Sequence, residues 1–327
     1  MKNKLLLTTA IAGLVAVGGV AQAETKVTGN LEQTYRAISD DANNGRASTR
    51  GLGAEYNIGL QSSAELDNGL SATFGFNLEN GANDVHFLTI GNDMVSVSIA
   101  RDHGNNLSSS GIPHISDTAS TVVGGSYHNL GINQSDGHND DHIRLDVNAV
   151  GGTFTARYVP TDGGTAGQSA VPAENNNSSY DVIYRGSLGV EGLTVVAGMH
   201  RVEGTGALQN AELDKFSVAY NFGQFAVGFE KQDSKDSAAV GAQDELDIQA
   251  ASVTYSVNDK LSIGFARYET ERTDAGVSDP QDEKTDMIGV GYSLGGIAVD
   301  VKYASTENVN HTVADRETLQ IRTIQKF

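Results

Sequence analysis

The chain of 327 residues has no cysteine, no tryptophan and only four prolines, and its 22 basic residues are outnumbered by 41 acidic ones. Without cysteine there is no disulfide, thiolate nucleophile, iron–sulfur cluster or cysteine-ligated zinc. Scarce proline excludes proline-rich linkers and collagen. A formal charge of −19 argues against nucleic acid as a partner, because phosphates select basic surfaces. Long apolar runs are also missing: beyond the N-terminus nothing approaches the roughly 18 apolar residues of a membrane helix. A helical membrane protein is therefore excluded. Glycine, by contrast, is plentiful at 38 residues, as a chain of many strands and tight turns requires.

The N-terminus indicates where such a chain works. Lys2 and Lys4 precede an uncharged stretch dense in Ala, Ile, Leu and Val from Ala10 to Ala21, and the small-residue site "AQA" at 21–23 meets Glu24. This is the pattern of a secretory signal peptide, residues 1–23, too short in its apolar part to stay in a bilayer. Its removal takes two lysines away and leaves residues 24–327 with a formal charge of −21. No linker or break in composition divides that remainder, which reads as one domain.

Its dominant signal has period two. In "GLSATFGFNLEN", Leu70, Ala72, Phe74, Phe76 and Leu78 share one face and Ser71, Thr73, Gly75, Asn77 and Glu79 the other. "KFSVAYNFG" sets Phe216, Val218, Tyr220 and Phe222 against Lys215, Ser217, Ala219 and Asn221; "GQFAVGFEK" sets Phe225, Val227 and Phe229 against Ala226, Gly228 and Glu230. "MIGVGYSLGG" and "IAVDVKYAS" continue the pattern. Short links rich in Gly, Asn and Asp, around Asn68, Asn92, Gly151, Val190, Gly223, Asn258 and Gly295, join such segments into seven hairpins. Between hairpins lie mostly longer, polar connections, at roughly 38–48, 80–84, 102–140, 160–179, 203–212, 232–246, 271–284 and 305–315. Short and long connections alternate, as in a meander with its turns at one end and its loops at the other. One further strand before the hairpins and one after, "ETLQIRTIQKF", bring the total to 16. A secreted β-sandwich also alternates, but its apolar faces share one core. Here the polar faces are small or charged throughout and both termini are strands able to pair. The expected fold is all-β: a transmembrane antiparallel β-barrel of 16 strands, apolar outside and polar inside. Tyrosines and phenylalanines near strand ends, among them Tyr220, Phe222, Phe225, Tyr255 and Tyr292, fit the aromatic girdles of such barrels, although Tyr also has high strand propensity in its own right.

Three local features carry a family resemblance: "SIARDHG" at 98–104 entering a 39-residue connection, "DDHIRLDVNAVGG" at 140–152 leaving it, and the terminal Phe327. In their order and spacing they resemble the trimeric general diffusion porins of Gram-negative outer membranes, over essentially the whole mature length. The resemblance implies a long third loop, here residues 102–140, folded into the lumen, where its acidic groups oppose arginines of the wall across a narrow eyelet. Asp117 is then the leading acidic candidate and Asp102 the second, while His114 stands where related sequences often carry an acid. For the wall, alternation selects Arg36, Arg144, Arg157 and Arg185 as lumen-facing, since a charge in hydrocarbon costs several kcal/mol. The competing reading for each is a solvated rim residue touching lipopolysaccharide. Arg101 is expected to tie the base of the loop or a neighbouring subunit. Arg50, Arg201 and Arg267 follow the apolar parity and are read as external.

The resemblance further implies a homotrimer, surrounded by lipid and lipopolysaccharide, with Phe327 as the signal read by the barrel assembly machinery. Thr323 and Gln325 depart from the apolar residues that signal prefers. No cofactor is expected, apart from a weak calcium site at Asp136, Asp140 and Asp141 set against a merely solvated acidic loop. Serines and histidines of the long loop form no recognisable triad, so an enzyme is not expected. The function expected is passive diffusion of ions and small hydrophilic solutes, mildly favouring cations. A substrate-specific channel and a non-channel barrel serving as adhesin or hydrolase are the alternatives.

Overall fold

The computed structural model of the chain describes residues 24–40, 47–105, 107, 111–113, 141–162, 177–203, 210–237, 243–274, 280–311 and 313–327. Sixteen strands occupy them: β1 (Glu24–Asp40), β2 (Ala47–Glu65), β3 (Ser71–Glu79), β4 (Ala82–Gly91), β5 (Val95–Arg101), β6 (His142–Ala149), β7 (Gly152–Asp162) and β8 (Asn177–Gly186). The second half comprises β9 (Leu193–Glu203), β10 (Ala211–Phe222), β11 (Phe225–Ser237), β12 (Gln243–Ser256), β13 (Leu261–Asp274), β14 (Glu283–Ser293), β15 (Ile297–Glu307) and β16 (Arg316–Lys326). Each pairs antiparallel with its sequence neighbours, and β1 pairs with β16, so the sheet closes on itself. Closure gives the backbone groups partners within the sheet, the condition for any sheet that crosses hydrocarbon.

The seam pairs Asn30–Asp40 of β1 with Arg316–Lys326 of β16, and the last residue extends it. Phe327 donates its N–H to the Gly29 carbonyl and accepts from the Gly29 N–H, both at 3.0 Å. Its ring lies over Gly29, whose missing side chain makes the room: a Cβ there would strike the ring and stand 2.8 Å from the Asn57 carbonyl oxygen.

All seven hairpin turns fall where the sequence places them. One connection differs from expectation. The link near residues 80–84 is not a loop but a two-residue turn, Asn80–Gly81, with φ of 49° and 84° at the two positions. The Asn-Gly pair tolerates the left-handed backbone that the right-handed twist of a hairpin demands. The strands around the expected loops at 232–246 and 160–179 also run further than alternation suggests, to Ser237 and Asp162, because hydrophilic residues continue the ladder above the apolar band.

Alternation sets the two faces. Phe216, Tyr220, Phe229, Phe265, Ile288, Tyr303, Leu319 and Ile321 are exposed on the outside, while Lys215, Ser217, Glu230, Thr285, Lys302 and Gln320 are buried on the inside. At the short-turn end the rings of Tyr220, Phe222, Phe225 and Tyr255 follow one another with centroid separations of 6.0, 5.7 and 4.7 Å, a continuous stretch of girdle. At the opposite end Arg201 and Arg267 lie outside, as their parity requires, and are held by Asp214 at 2.7 Å and Asp286 at 2.7 Å.

Candidate pore constriction

The long connection between β5 and β6 turns inward at once. Asp102, at φ 48°, and Gly104, at φ 100°, swing the chain off the top of β5 into the lumen. Only glycine suits position 104, since a Cβ would collide with the Arg144 guanidinium as well as strain the backbone. The following residues run along the inner wall on a row of cation clamps. Arg144 on β6 donates to the His103 carbonyl, Arg157 on β7 to the Asn105 carbonyl, and Lys215 on β10 to the Leu107 carbonyl at 2.8 Å.

Each clamp carries its own counter-ion. Arg144 Nε meets Asp146 at 2.8 Å, Arg157 Nε lies 3.4 Å from Asp181, and Lys215 Nζ lies 3.1 Å from Glu230. His200 stands 3.9 Å from the same Asp181. Glu230 also takes the Gly111 N–H at 2.6 Å, so one carboxylate binds both the wall cation and the loop. The Asn105 amide donates to Thr155 Oγ1 at 3.1 Å, and Thr155 donates to Asp146 at 2.7 Å, linking the first two clamps. Charge-assisted bonds of this kind are short and roughly twice as strong as neutral ones.

Apolar seats hold the loop between clamps. Leu107 is fully buried among Ile183, Val196 and Leu213, and Ile112 among Ile248, Ala250, Ala266, Tyr268, Met287 and Ala304. These wall residues point inward, against the rule of a polar lumen, because the loop rather than water covers them. Glycines clear the space: a Cβ on Gly198 would come within 2.7 Å of Leu107, and one on Gly228 within 2.5 Å of Pro113.

Across the lumen the wall is charged in a different way. Arg322 on β16 bridges Glu32 on β1 at 3.1 Å and Asp300 on β15 at 3.1 Å. Arg36 donates to Gln320 at 3.2 Å. Glu55 lies beside Glu32, Asp84 and Arg322, and Glu79 beside Glu55, Asp84 and Asp102, so an acidic patch runs across β1 to β4. Phe87, laid across Gly75, stacks on the His103 ring at 3.7 Å between this patch and the clamps.

The arginines selected by alternation, Arg36, Arg144, Arg157 and Arg185, all lie on inward positions, yet they divide. Arg144 and Arg157 are buried beneath the loop as its anchors; Arg36 and Arg185 are half-buried on the wall. Asp102 sits at the loop's entry turn. Arg101 continues the outward parity of Val97 and Ile99 and so lies on the outside, paired in register with His86. Asp141 contacts His86 at 3.1 Å. His114, Asp117, Asp136 and Asp140 lie outside the described residues. Sequence reasoning missed Lys215 and Glu230, although both stand on the polar faces it identified. It also missed Arg322, Glu32 and Asp300. Inward parity combined with charge would have found all five.

A closed 16-stranded sheet with a lumen narrowed by a clamped third loop matches a known family. The Gram-negative porin family profile aligns with residues 8–320. The chain belongs to the Gram-negative porins. No curated protein sequence matches this porin. Among solved structures it is similar to OmpT of Vibrio cholerae, with a TM-score of 0.69 at 12% identity, covering 94% of this chain and 100% of that one. An in-vitro folded trimer form of OmpT aligns with a TM-score of 0.67 at 13% identity, covering 94% and 100%. An anion-selective porin from Comamonas acidovorans aligns with a TM-score of 0.68 at 12% identity, again covering 94% and 100%. At such identities the likeness is one of fold. Family and fold together are those of an outer-membrane channel rather than of an enzyme.

Proposed function

We propose that this porin lets ions and small hydrophilic solutes diffuse passively, with a mild preference for cations, as a self-associated barrel exported by the signal peptide at residues 1–23. The observation that carries the selectivity is the charge balance of the inner wall. Arg144, Arg157 and Lys215 are each matched by a carboxylate of their own and spent on the loop, so they add little positive field to the pore. The rest of the inner wall offers Arg36, Arg185, Lys302 and Arg322 against Glu32, Glu55, Glu79, Asp84, Asp102 and Asp300. An acidic excess in a cleft with low-dielectric walls concentrates cations, and a mature charge of −21 adds to this at the mouths. The barrel fold alone leaves the sign open, since the similar Comamonas acidovorans structure is that of an anion-selective porin. Side chains decide it.

Self-association is supported by the trimer form among the similar structures, and the outward apolar band fits lipid and lipopolysaccharide as surroundings. Recordings in planar bilayers test the whole reading: stepwise conductance is expected, with a reversal potential in a salt gradient on the cation side. No conductance steps, or clear anion selectivity, would overturn it. Glu55→Gln combined with Glu79→Gln is expected to move the reversal potential toward zero, and Arg36→Gln away from it.

A further inference from the structure

The seven turns at the short-turn end differ in what they expose. Asp67 and Asn68 form the tip between β2 and β3, and Asn258, Asp259 and Lys260 the tip between β12 and β13, the polar surface expected of turns in water. Three consecutive turns around the rim are of another kind. Met94, between β4 and β5, is 69% exposed; Val150, between β6 and β7, 63%; Leu188 and Val190, between β8 and β9, 49% each. Among the described residues one other short turn exposes a large aliphatic side chain, Leu294, and it stands alone between Ser293 and Gly295.

Val150 and Leu188 are also strained, with φ of 53° and 52° in the left-handed region. The other described non-glycine residues there are Asn80, Asp102, Asn308 and His311, types that tolerate it, whereas β-branched and bulky residues avoid it. Turn closure alone favours Asn or Gly at such positions, as at Asn80–Gly81, and gives no reason for Val or Leu. The three turns are moreover stapled into one ledge. The Asn148 N–H donates to the Met94 carbonyl at 2.8 Å and its side-chain amide to the Asp93 carbonyl at 2.7 Å. The Ser187 N–H donates to the Gly151 carbonyl at 2.9 Å, and a Cβ on Gly151 would stand 2.4 Å from the Gly189 nitrogen.

The aromatic girdle indicates what meets this ledge. On β10 and β11, Phe222 and Phe225 flank the turn itself, so the lipid boundary there reaches the level of the turns. On β7 and β8 the outward rings of Phe154 and Tyr184, 4.8 Å apart, stop short of it. The Tyr184 hydroxyl donates to the Val150 carbonyl at 2.9 Å and accepts from the Leu188 N–H at 3.1 Å, so the aliphatic turns take over where the rings end. At the other end of the ledge the Tyr220 ring comes within 3.5 Å of a Cβ placed on Gly192, joining the turn of Val190 to the ring row. Asp93 and Glu191 stand exposed in the same turns. Apolar and charged groups side by side suit a headgroup layer rather than hydrocarbon.

We infer that the turns below β4 to β9 form a lipid-binding ledge, with Met94, Val150, Leu188 and Val190 in the phospholipid headgroup layer on the short-turn side. The turns at Asp67 and Asp259 stand in water. The membrane boundary therefore crosses the rim obliquely, and the barrel sits tilted toward β4 to β9. Burial of the four side chains offsets the strain at Val150 and Leu188.

The chain has no tryptophan, so a single introduced one reports its own surroundings. Met94→Trp, Val150→Trp and Leu188→Trp, each refolded into phospholipid vesicles, are expected to emit at shorter wavelength than Asp67→Trp and Asp259→Trp. Lipids brominated near the headgroup should quench the first three several-fold more strongly, with heat-modifiable mobility on gels confirming that each variant is folded. A photocrosslinking residue at position 150 is expected to attach to lipid, and to no protein, in isolated outer membranes. Equal emission and quenching at all five positions overturns the ledge. A crosslink to a second copy or to another protein overturns its assignment to lipid.

Discussion

Replacing Lys215 by methionine is expected to free the third loop from the wall while leaving the barrel folded. Lys215 and Glu230 are almost wholly buried and lie 3.1 Å apart, and each also binds the loop backbone, at Leu107 and Gly111 respectively. Removing one member leaves the other as an uncompensated buried charge, a penalty of about 3–5 kcal/mol. The sixteen-strand ladder has no part in that contact, so relief comes from the loop lifting and admitting water to Glu230. The ratio of seated to lifted loop should fall by a factor of about 100 or more. In bilayer recordings this appears as altered step size and rapid flicker, with heat-modifiable mobility on gels unchanged. Glu230→Gln should act in the same direction. The double variant Lys215→Met, Glu230→Gln should recover a steady step, because no lone charge remains. A Lys215→Met channel with wild-type steps and noise would show that the clamp does not set the constriction.

Deleting Phe327 is expected to reduce the folded barrel sharply. The residue contributes two hydrogen bonds to the seam, both to Gly29. Without it the Gly29 N–H and carbonyl lose their partners at the bilayer edge, at about 1–3 kcal/mol for each group left unpaired. Gly29→Val attacks the same joint from the other strand, since its added carbons collide with the Phe327 ring and crowd the Asn57 carbonyl oxygen. Both variants should show less heat-modifiable protein after refolding into detergent. Phe327→Ala separates closure from recognition: it keeps both backbone bonds and loses only the ring. Normal refolding of this variant in vitro with poor insertion in cells would assign the ring to the assembly machinery. Undiminished folded protein after the deletion would remove the seam from the account.

The strands and their inward and outward faces could be read from the chain because a two-residue period has a single physical consequence when one side meets lipid and the other water. Phe216 and Lys215 are adjacent and cannot both face hydrocarbon. Turns were legible for a related reason, since Asn-Gly and Gly-Gly pairs supply backbone conformations that few other residues adopt. The constriction was harder. Arg144 and Arg157 were recognisable as inward but not as buried anchors, because their partners are loop carbonyl oxygens, which no side-chain pattern reveals. Ile183, Val196, Leu213 and Ile248 look like breaks in the polar face; they make sense only once Leu107 and Ile112 lie on them. Gly198 and Gly228 look like ordinary small lumen residues until the loop is seen to occupy the space they leave.

The height of the wall was likewise hidden. Asn80–Gly81 was expected to sit in a loop connection, and β2 rises past β3 because that turn is short while β1 and β2 continue upward. Composition and alternation, which act locally and repeat along the chain, determined that this protein is a sixteen-stranded barrel with a polar lumen. Which of its charges hold the loop and which face the pore was decided by tertiary structure alone. Those properties depend on contacts between residues as far apart as Gly111 and Glu230, or Gly29 and Phe327, and no periodicity along the chain encodes such pairs.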